Sequence, residues 1–218
     1  MGYAIRMSVP VQESLLDVCD DPRLESLGGS VRRMPLARGA WVDVRRGWLA
    51  GSGAVFARLA ANPGPVPWRA EKRHMYDKVV AVPRLLCFYG EDAPLPDPVL
   101  TAALAALNAQ YEPELGEPFR TAGLCLYRDG RDSVAWHGDT IGRGSREDTM
   151  VAIVSLGAPR AFGLRPRGGG KSLRYEIGHG DLLVMGGSCQ RTWEHAVPKT
   201  AQVVGPRISV QFRPRGVR

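Results

Sequence analysis

The sequence predicts one α+β domain, in which N-terminal helices pack on an antiparallel β-sandwich or barrel formed by the second half of the chain. Its 218 residues, 44% hydrophobic and 23% charged, are typical of a single globular domain. Helix signals lie in the first 115 residues. After Gly116 the pattern changes to short β-type runs separated by glycines, and this change predicts the second layer.

Three segments of the first half carry helix signals. Val11–Val18 predicts a short helix, and Ser52 is a candidate cap for a helix that ends at Ala61, before Asn62-Pro63. The clearest signal covers Pro98–Gln110, with Asp97 at the N-cap and Pro98 at the first helical position. Its apolar stripe, which we expect to pack on a sheet, consists of Leu100, Leu104, Leu107 and Tyr111.

The second half contains eight candidate strands with polar or glycine-rich connections. They are Gly123–Tyr127, Val134–His137, Thr149–Leu156, Ala161–Arg165, Ser172–Ile177, Asp181–Met185, Arg191–His195 and Arg207–Arg213.

Composition restricts the partners and the compartment. The net charge of +7 admits a polyanion such as nucleic acid, although many soluble proteins are mildly basic without such a partner. The four cysteines are far apart and form no C-x-x-C, which favours a reducing compartment. No apolar run is long enough to span a membrane, and the N-terminus lacks the apolar segment of a secretory signal. We therefore expect a cytoplasmic protein with no membrane partner.

Three side chains are candidate metal ligands. In an extended segment His137 and Asp139 project from the same face, and His195, far along the chain, can supply a third ligand when the strands fold over each other. Two histidines and one carboxylate on one face of an octahedron form the triad of non-haem Fe(II) oxygenases, with three positions open. H-x-D alone is common by chance, so a loop histidine beside a carboxylate is the alternative.

The last predicted strand alternates strictly, with Arg207, Ser209, Gln211 and Arg213 on one face. A surface strand also alternates in this way. The two arginines are about 20 Å apart along the strand, so they cannot both grip one end of a small molecule. They can bind its two ends, or one can bind the molecule and the other a neighbouring group. A dicarboxylate is a natural guest for guanidinium groups.

Taken together, these motifs resemble the AlkB-like family of Fe(II)- and 2-oxoglutarate-dependent dioxygenases, which dealkylate nucleic-acid bases. The resemblance covers roughly residues 120–215 and rests on five motifs in order: Tyr127-x-x-Gly130, His137-x-Asp139, the segment 180–187, His195 and Arg207-x₅-Arg213. It implies a double-stranded β-helix (jelly-roll) core over residues 116–218, with a nucleotide-recognition elaboration over residues 1–115. It also implies Fe(II), 2-oxoglutarate and O₂ as cofactors and a nucleic acid, most simply DNA, as the partner. We expect the protein to be a monomer.

The resemblance also assigns site residues. His137, Asp139 and His195 match the iron ligands. Tyr127 and Arg207 match 2-oxoglutarate contacts, and Arg213 matches the second arginine that contacts 2-oxoglutarate, near its metal-proximal carboxylate and the substrate. The chain departs from the family pattern at four positions, where Cys125 and Ser209 replace asparagine, Gln211 replaces threonine and Ile141 replaces a base-reading carboxylate. We keep Cys125, Ser209 and Gln211 as candidate 2-oxoglutarate contacts.

Candidate substrate contacts are aromatic or imidazole groups for a flipped base and basic groups for phosphates. They are Trp68, Arg69, His74, Tyr76, Arg84, Trp136, Ile141, Arg165, Arg167 and Lys171. Two other functions remain open: a 2-oxoglutarate oxygenase acting on a small molecule or protein, and a catalytically silent nucleic-acid-binding module.

Overall fold

The structure is a computed structural model and describes residues 21–75 and 77–217. The predicted helix over Val11–Val18 and the candidate contact Tyr76 lie outside the described residues.

The first half of the described chain contains strands as well as helices. Its elements are β1 (Arg23–Leu24), β2 (Arg32–Pro35), β3 (Ala40–Arg45), β4 (Leu49–Ala50), α1 (Ser52–Ala60), β5 (Arg69–Met75), β6 (Lys78–Tyr89) and α2 (Pro98–Leu115). This half is therefore not mainly helical, in contrast to the prediction. β3 lies between β2 and β12 and is buried at five successive positions, so its sequence shows no simple alternation of polar and apolar residues.

The second half has the eight predicted strands, with ends shifted by a few residues. Its elements are β7 (Phe119–Tyr127), β8 (Val134–His137), β9 (Val151–Gly157), β10 (Arg160–Pro166), β11 (Leu173–Ile177), β12 (Leu182–Gly187), α3 (Cys189–Thr192), β13 (Trp193–Val197) and β14 (Arg207–Pro214). The prediction of a β-rich fold with antiparallel sheets is confirmed.

The strands form a large and a small antiparallel sheet. The large sheet has the order β2-β3-β12-β9-β14-β7-β6-β5, and the small one has the order β11-β10-β13-β8. β1 and β4 form a separate two-stranded pair. The central strands of the large sheet come from the second half of the chain, and strands of the first half extend it at both edges.

Two apolar clusters lie on opposite faces of the large sheet. One joins its outer face to α1 and α2, through residues such as Phe56, Leu107 and Leu124. The other lies between the two sheets and includes Ile153 from the large sheet and Phe162 and Trp193 from the small one. The molecule thus has three layers, and the inter-sheet layer leads to the predicted site.

The helix boundaries follow local chemistry. In α2 the Asp97 side chain accepts a hydrogen bond from the Val99 backbone N–H at 3.0 Å, which confirms the predicted N-cap. The helix continues past Gln110 to Leu115 and ends at Gly116, whose φ of 79° favours glycine. In α1 Ser52 is the first helical residue, and Gly51 occupies the cap position predicted for Ser52.

Candidate metal centre

Pairing of β8 with β13 brings the three predicted ligands together. His137, at the end of β8, lies directly opposite His195 on β13, and Asp139 follows two residues later. One ligand atom from each of the three lies within 4.8 Å of the others, and the imidazole centroids are 4.2 Å apart. His137 Nε2 lies 3.6 Å from Asp139 Oδ1. This donor set suits a divalent iron ion with open coordination positions.

Neighbouring groups keep the ligands in metal-binding form. A carbonyl oxygen only accepts hydrogen bonds, so His137 Nδ1, 2.8 Å from Ala135 O, carries the proton and leaves Nε2 free for a metal. Burial and the charge of His137 lower the pKa of His195 to about 3, so its imidazole is neutral at physiological pH. Burial opposes ionisation of Asp139, but Arg213 and the two imidazoles outweigh it and lower its pKa to about 2.

Asp139 has two further contacts that fix its position. Arg213 Nε donates to Asp139 Oδ2 at 2.6 Å, and the Asp139 backbone N–H donates to Gln190 Oε1 at 2.9 Å. The residue between the two ligands, Gly138, is a glycine for a steric reason, because a Cβ there would lie 2.4 Å from the Gln190 carbonyl oxygen. α3 and β14 therefore hold the H-G-D segment from two sides.

The predicted 2-oxoglutarate contacts lie on the inter-sheet face of the large sheet. Arg207 pairs directly with Tyr127, and its guanidinium carbon lies 5.3 Å from the Tyr127 ring centroid. Arg207 is 1% exposed, and its Nε donates to Ser155 Oγ at 2.9 Å. Its Nη1 is buried and has no hydrogen-bond partner among the described residues. A buried guanidinium donor of this kind can bind an anion, and a carboxylate of a dicarboxylate co-substrate is a suitable one.

Three of the four positions that depart from the family pattern form one connected polar group in this face. Ser209 pairs with Cys125, and Gln211 Nε2 donates to the Ser209 hydroxyl and carbonyl oxygens at 2.5 and 2.8 Å. Cys125 Sγ lies 3.6 Å from Gln211 Oε1, and the thiol is the donor. These three side chains form hydrogen bonds with one another, whereas one donor of Arg207 has no partner among the described residues.

The two arginines of β14 have different partners. Arg207 lies beside Tyr127, and Arg213, at the other end of the strand, pairs with the candidate metal ligand Asp139. Of the two arrangements expected for these arginines, the contacts agree with the one in which the second arginine holds a neighbouring group, here the Asp139 carboxylate.

Two of the predicted aromatic walls, Trp136 and Trp68, have their contacts in other parts of the structure. Trp136 precedes His137 in β8 and so points to the opposite face of the small sheet. There the Arg165 guanidinium lies 4.4 Å from its ring centroid and donates to Glu194 at 2.9 Å. The Trp68 indole N–H donates to Leu59 O at 3.0 Å, and its ring packs on the cluster beneath α1.

The other candidate substrate contacts lie in several separate parts of the structure. Arg69 and His74 are exposed on the edge strand β5, and Lys171 is exposed in the β10–β11 connection. Ile141 is 69% exposed just beyond Asp139. Arg167 is closer to the triad, since a Cβ on Gly138 would lie 2.8 Å from its Nη2. Arg84 faces the Tyr127 region, where its Nη1 donates to Ser133 O at 2.9 Å.

Several residues of the site were not predicted from the sequence. Gln190 contacts Asp139, and Ser155 contacts Arg207. Phe162 stacks on His195 with a centroid distance of 5.5 Å. Arg160 donates to three backbone carbonyls in the 129–132 and 198 segments. Gln190 and Ser155 lie on elements remote in sequence from the groups they contact, so no local motif marks them.

The comparisons with known proteins agree with this donor set. A model of the 2OG-Fe(II) oxygenase superfamily matches residues 65–213, and the chain belongs to that superfamily. Fe(II), 2-oxoglutarate and O₂ are the cofactors that this family implies. The solved structure of OsALKBH1 has the same fold, with a TM-score of 0.56 at 14% identity over 84% of this chain and 100% of that chain.

Within the superfamily the similarity is to AlkB-like proteins. Alpha-ketoglutarate-dependent dioxygenase alkB homolog 3 of Bos taurus is 33% identical over 188 residues, which cover 75% of this chain and 63% of that protein. DNA oxidative demethylase ALKBH2 of Arabidopsis thaliana is 32% identical over 130 residues, which cover 49% of this chain and 41% of that protein. The chain thus spans less than two thirds of the length of these relatives.

Among the described helices, none combines the length and the apolar character needed to cross a bilayer.

Proposed function

We propose that the protein is an Fe(II)- and 2-oxoglutarate-dependent dioxygenase that removes alkyl groups from nucleic-acid bases, with DNA as the expected substrate. The observation that carries the proposal is the coincidence of two features in the inter-sheet layer. One is the clustered donor set of His137, Asp139 and His195, and the other is the buried guanidinium of Arg207, whose Nη1 has no hydrogen-bond partner among the described residues. The proposal assigns the two facing sheets to the double-stranded β-helix class.

Each residue of the site has a role in this chemistry. His137, Asp139 and His195 hold the iron ion, which with 2-oxoglutarate and O₂ supplies the oxidant for a C–H bond. Arg207 binds the distal carboxylate of 2-oxoglutarate, and Tyr127 borders the same end of the pocket. Arg213 keeps Asp139 ionised and oriented through the 2.6 Å contact. Hydroxylation of an N-alkyl carbon gives a hydroxyalkyl group that leaves as an aldehyde and restores the base.

Two features support a nucleic-acid partner. The relatives include a DNA oxidative demethylase, and the strand β5 exposes the basic side chains of Arg69, Lys72 and Arg73. Arg167 lies near the triad, at a place where a phosphate beside a flipped base can be bound. We propose that β5 and Arg167 contact the strand that carries the target base.

The proposal is tested by anaerobic reconstitution with Fe(II) and 2-oxoglutarate, followed by admission of O₂. Oligonucleotides with 1-methyladenine, 3-methylcytosine or an etheno adduct serve as substrates, and restored bases are measured by mass spectrometry. Base restoration supports dealkylation. Turnover of 2-oxoglutarate that no oligonucleotide stimulates favours a small-molecule or protein substrate instead. Oligonucleotide binding without any turnover indicates a silent binding module.

The metal assignment has its own test. Asp139→Ala is expected to abolish both Fe(II) binding and 2-oxoglutarate turnover, because a metal site loses its only anionic ligand. Asp148→Ala is the matched control, because Asp148 is an exposed carboxylate nearby that pairs with Arg191 at the surface. Full Fe(II) affinity in Asp139→Ala contradicts the assignment.

A further inference from the structure

Three adjacent strands of the large sheet place a row of polar side chains on its inter-sheet face. β7 lies between β6 and β14, and Arg207 on β14 pairs directly with Tyr127 on β7. On the other side of β7, Leu85 pairs with Leu126, so the register brings Arg84 opposite Tyr127. Side chains opposite each other in antiparallel strands share a face. Arg84 and Arg207 therefore flank Tyr127, with about 10 Å between their Cα atoms.

Both arginines of this row have a buried donor without a partner among the described residues. These donors are Nη1 of Arg207 and Nε of Arg84. The hydrogen bonds that the two side chains do make go to neutral oxygens, those of Ser155 and Ser133. Neither arginine forms an ion pair with a carboxylate within the described chain. Two guanidinium groups thus lie on the same face of the sheet, one on each side of Tyr127, and no carboxylate of the described chain is paired with either.

A third arginine nearby shows the contrast. Arg160 is 4% exposed, and its guanidinium carbon lies 5.7 Å from the Tyr127 ring centroid. It donates to the carbonyl oxygens of Asp129, Asp132 and Pro198 and is not among the side chains with an unpartnered buried donor. Arg160 is therefore structural, and the spare hydrogen-bonding capacity is on Arg84 and Arg207.

We propose that Arg84 is a second guanidinium for the co-substrate and binds the distal carboxylate of 2-oxoglutarate together with Arg207. This inference rests on the proposed function. A carboxylate has about four acceptor positions, which two guanidinium groups approaching from opposite sides can share. The sequence suggested Arg84 as a phosphate contact, but its position beside Tyr127 assigns it to the co-substrate end of the pocket instead.

The competing explanation is that Arg84 only fixes a loop. Its Nη1 donates to Ser133 O, and the Ser133 N–H donates to Pro83 O, so β6 is attached to the 128–133 segment at this point. If Arg84 only fixes the loop, its replacement weakens the binding of every ligand of the site equally. A carboxylate-binding role predicts that only a ligand with a distal carboxylate is affected.

Calorimetric titration of the Mn(II)-loaded protein with two probes separates these roles. 2-Oxoglutarate has the distal carboxylate, and oxalate chelates the metal through a similar head group without it. Arg84→Gln is expected to weaken 2-oxoglutarate binding by about tenfold or more, the effect of losing a hydrogen bond between charged groups, while oxalate affinity changes less than about twofold. Arg84→Lys, which keeps the charge, is expected to recover part of the loss.

Arg120→Gln is the matched control, because Arg120 is an exposed arginine on β7 itself, and it is expected to leave both affinities unchanged. Equal weakening of both probes by Arg84→Gln, or undiminished 2-oxoglutarate affinity, overturns the inference and leaves the proposed function in place. Failure of the wild-type protein to bind 2-oxoglutarate overturns both.

Discussion

Replacement of Arg207 by methionine is expected to raise the stability of the ligand-free protein and to lower its affinity for 2-oxoglutarate. Arg207 is 1% exposed, and its buried Nη1 has no partner in the part of the chain that the structure describes. Burial also lowers the pKa of its guanidinium, a sign that the charged form is disfavoured there. Because an uncompensated buried charge is costly, a methionine of similar length is expected to stabilise the ligand-free fold by about 1–2 kcal/mol.

The same change removes the charged partner of the distal carboxylate. One or two hydrogen bonds between charged groups contribute about 1.5–3 kcal/mol each, so 2-oxoglutarate affinity is expected to fall by about 10- to 100-fold or more. Stability is measured by urea denaturation of metal-free protein, and affinity by calorimetry on Mn(II)-loaded protein.

Ser155→Ala serves as the comparison, because it removes only the hydroxyl that accepts from Arg207 Nε. It is expected to lower stability by about 1 kcal/mol, which is opposite in sign to the Arg207→Met effect. A structural role for Arg207 predicts the opposite result: Arg207→Met then destabilises the ligand-free protein by more than about 2 kcal/mol, and 2-oxoglutarate binds as before. That outcome contradicts a role for Arg207 in binding the co-substrate.

Three further predictions concern other parts of the structure. Gly138→Ala is expected to displace the H-G-D segment and reduce Fe(II) affinity, since its Cβ would lie 2.4 Å from a backbone oxygen; unchanged affinity by metal titration contradicts the crowding. Burial opposes ionisation of Asp132, but hydrogen bonds from the Arg128 side chain and backbone lower its pKa. The stabilisation by ionised Asp132 is therefore complete above the pKa of the unfolded state and is lost as pH falls through the pKa of the folded state. The difference in unfolding free energy between wild type and Asp132→Asn, measured by denaturation at a series of pH values, should shrink below about pH 4. A difference that stays constant with pH contradicts this linkage. Arg167→Gln is expected to weaken oligonucleotide binding regardless of sequence and to reduce the salt slope by about one, measured by fluorescence anisotropy; an unaltered slope removes Arg167 from the phosphate contacts.

The sequence predicts the strands of the catalytic half well, because glycines and polar turns separate them clearly. It also predicts the cluster of His137, Asp139 and His195, since two are neighbours in sequence and the third lies on a strand of the same sheet. The strands of the first half were missed for a physical reason. β3 pairs on one side with β2 and on the other with β12, which comes from the far half of the chain, and such long-range pairing leaves no local signal.

Other contacts of the site leave no local signal in the sequence. Trp136 adjoins a candidate metal ligand in sequence, yet successive residues of a strand point to opposite faces, so Trp136 lies on the other face of the small sheet. Gln190 contacts Asp139 from the short helix α3, 51 residues further along the chain. The charge of Arg84 suggested a phosphate contact, and only the pairing of β6 with β7 places this residue opposite Tyr127.

The ion pair between Arg213 and Asp139 attaches the final strand of the large sheet to the loop that carries a metal ligand. A carboxylate secured in this way does not depend on the cation to stay in place. We expect removal of the metal by a chelator to leave the three ligands in place, so that added iron binds to a preformed site without any refolding of the surrounding chain.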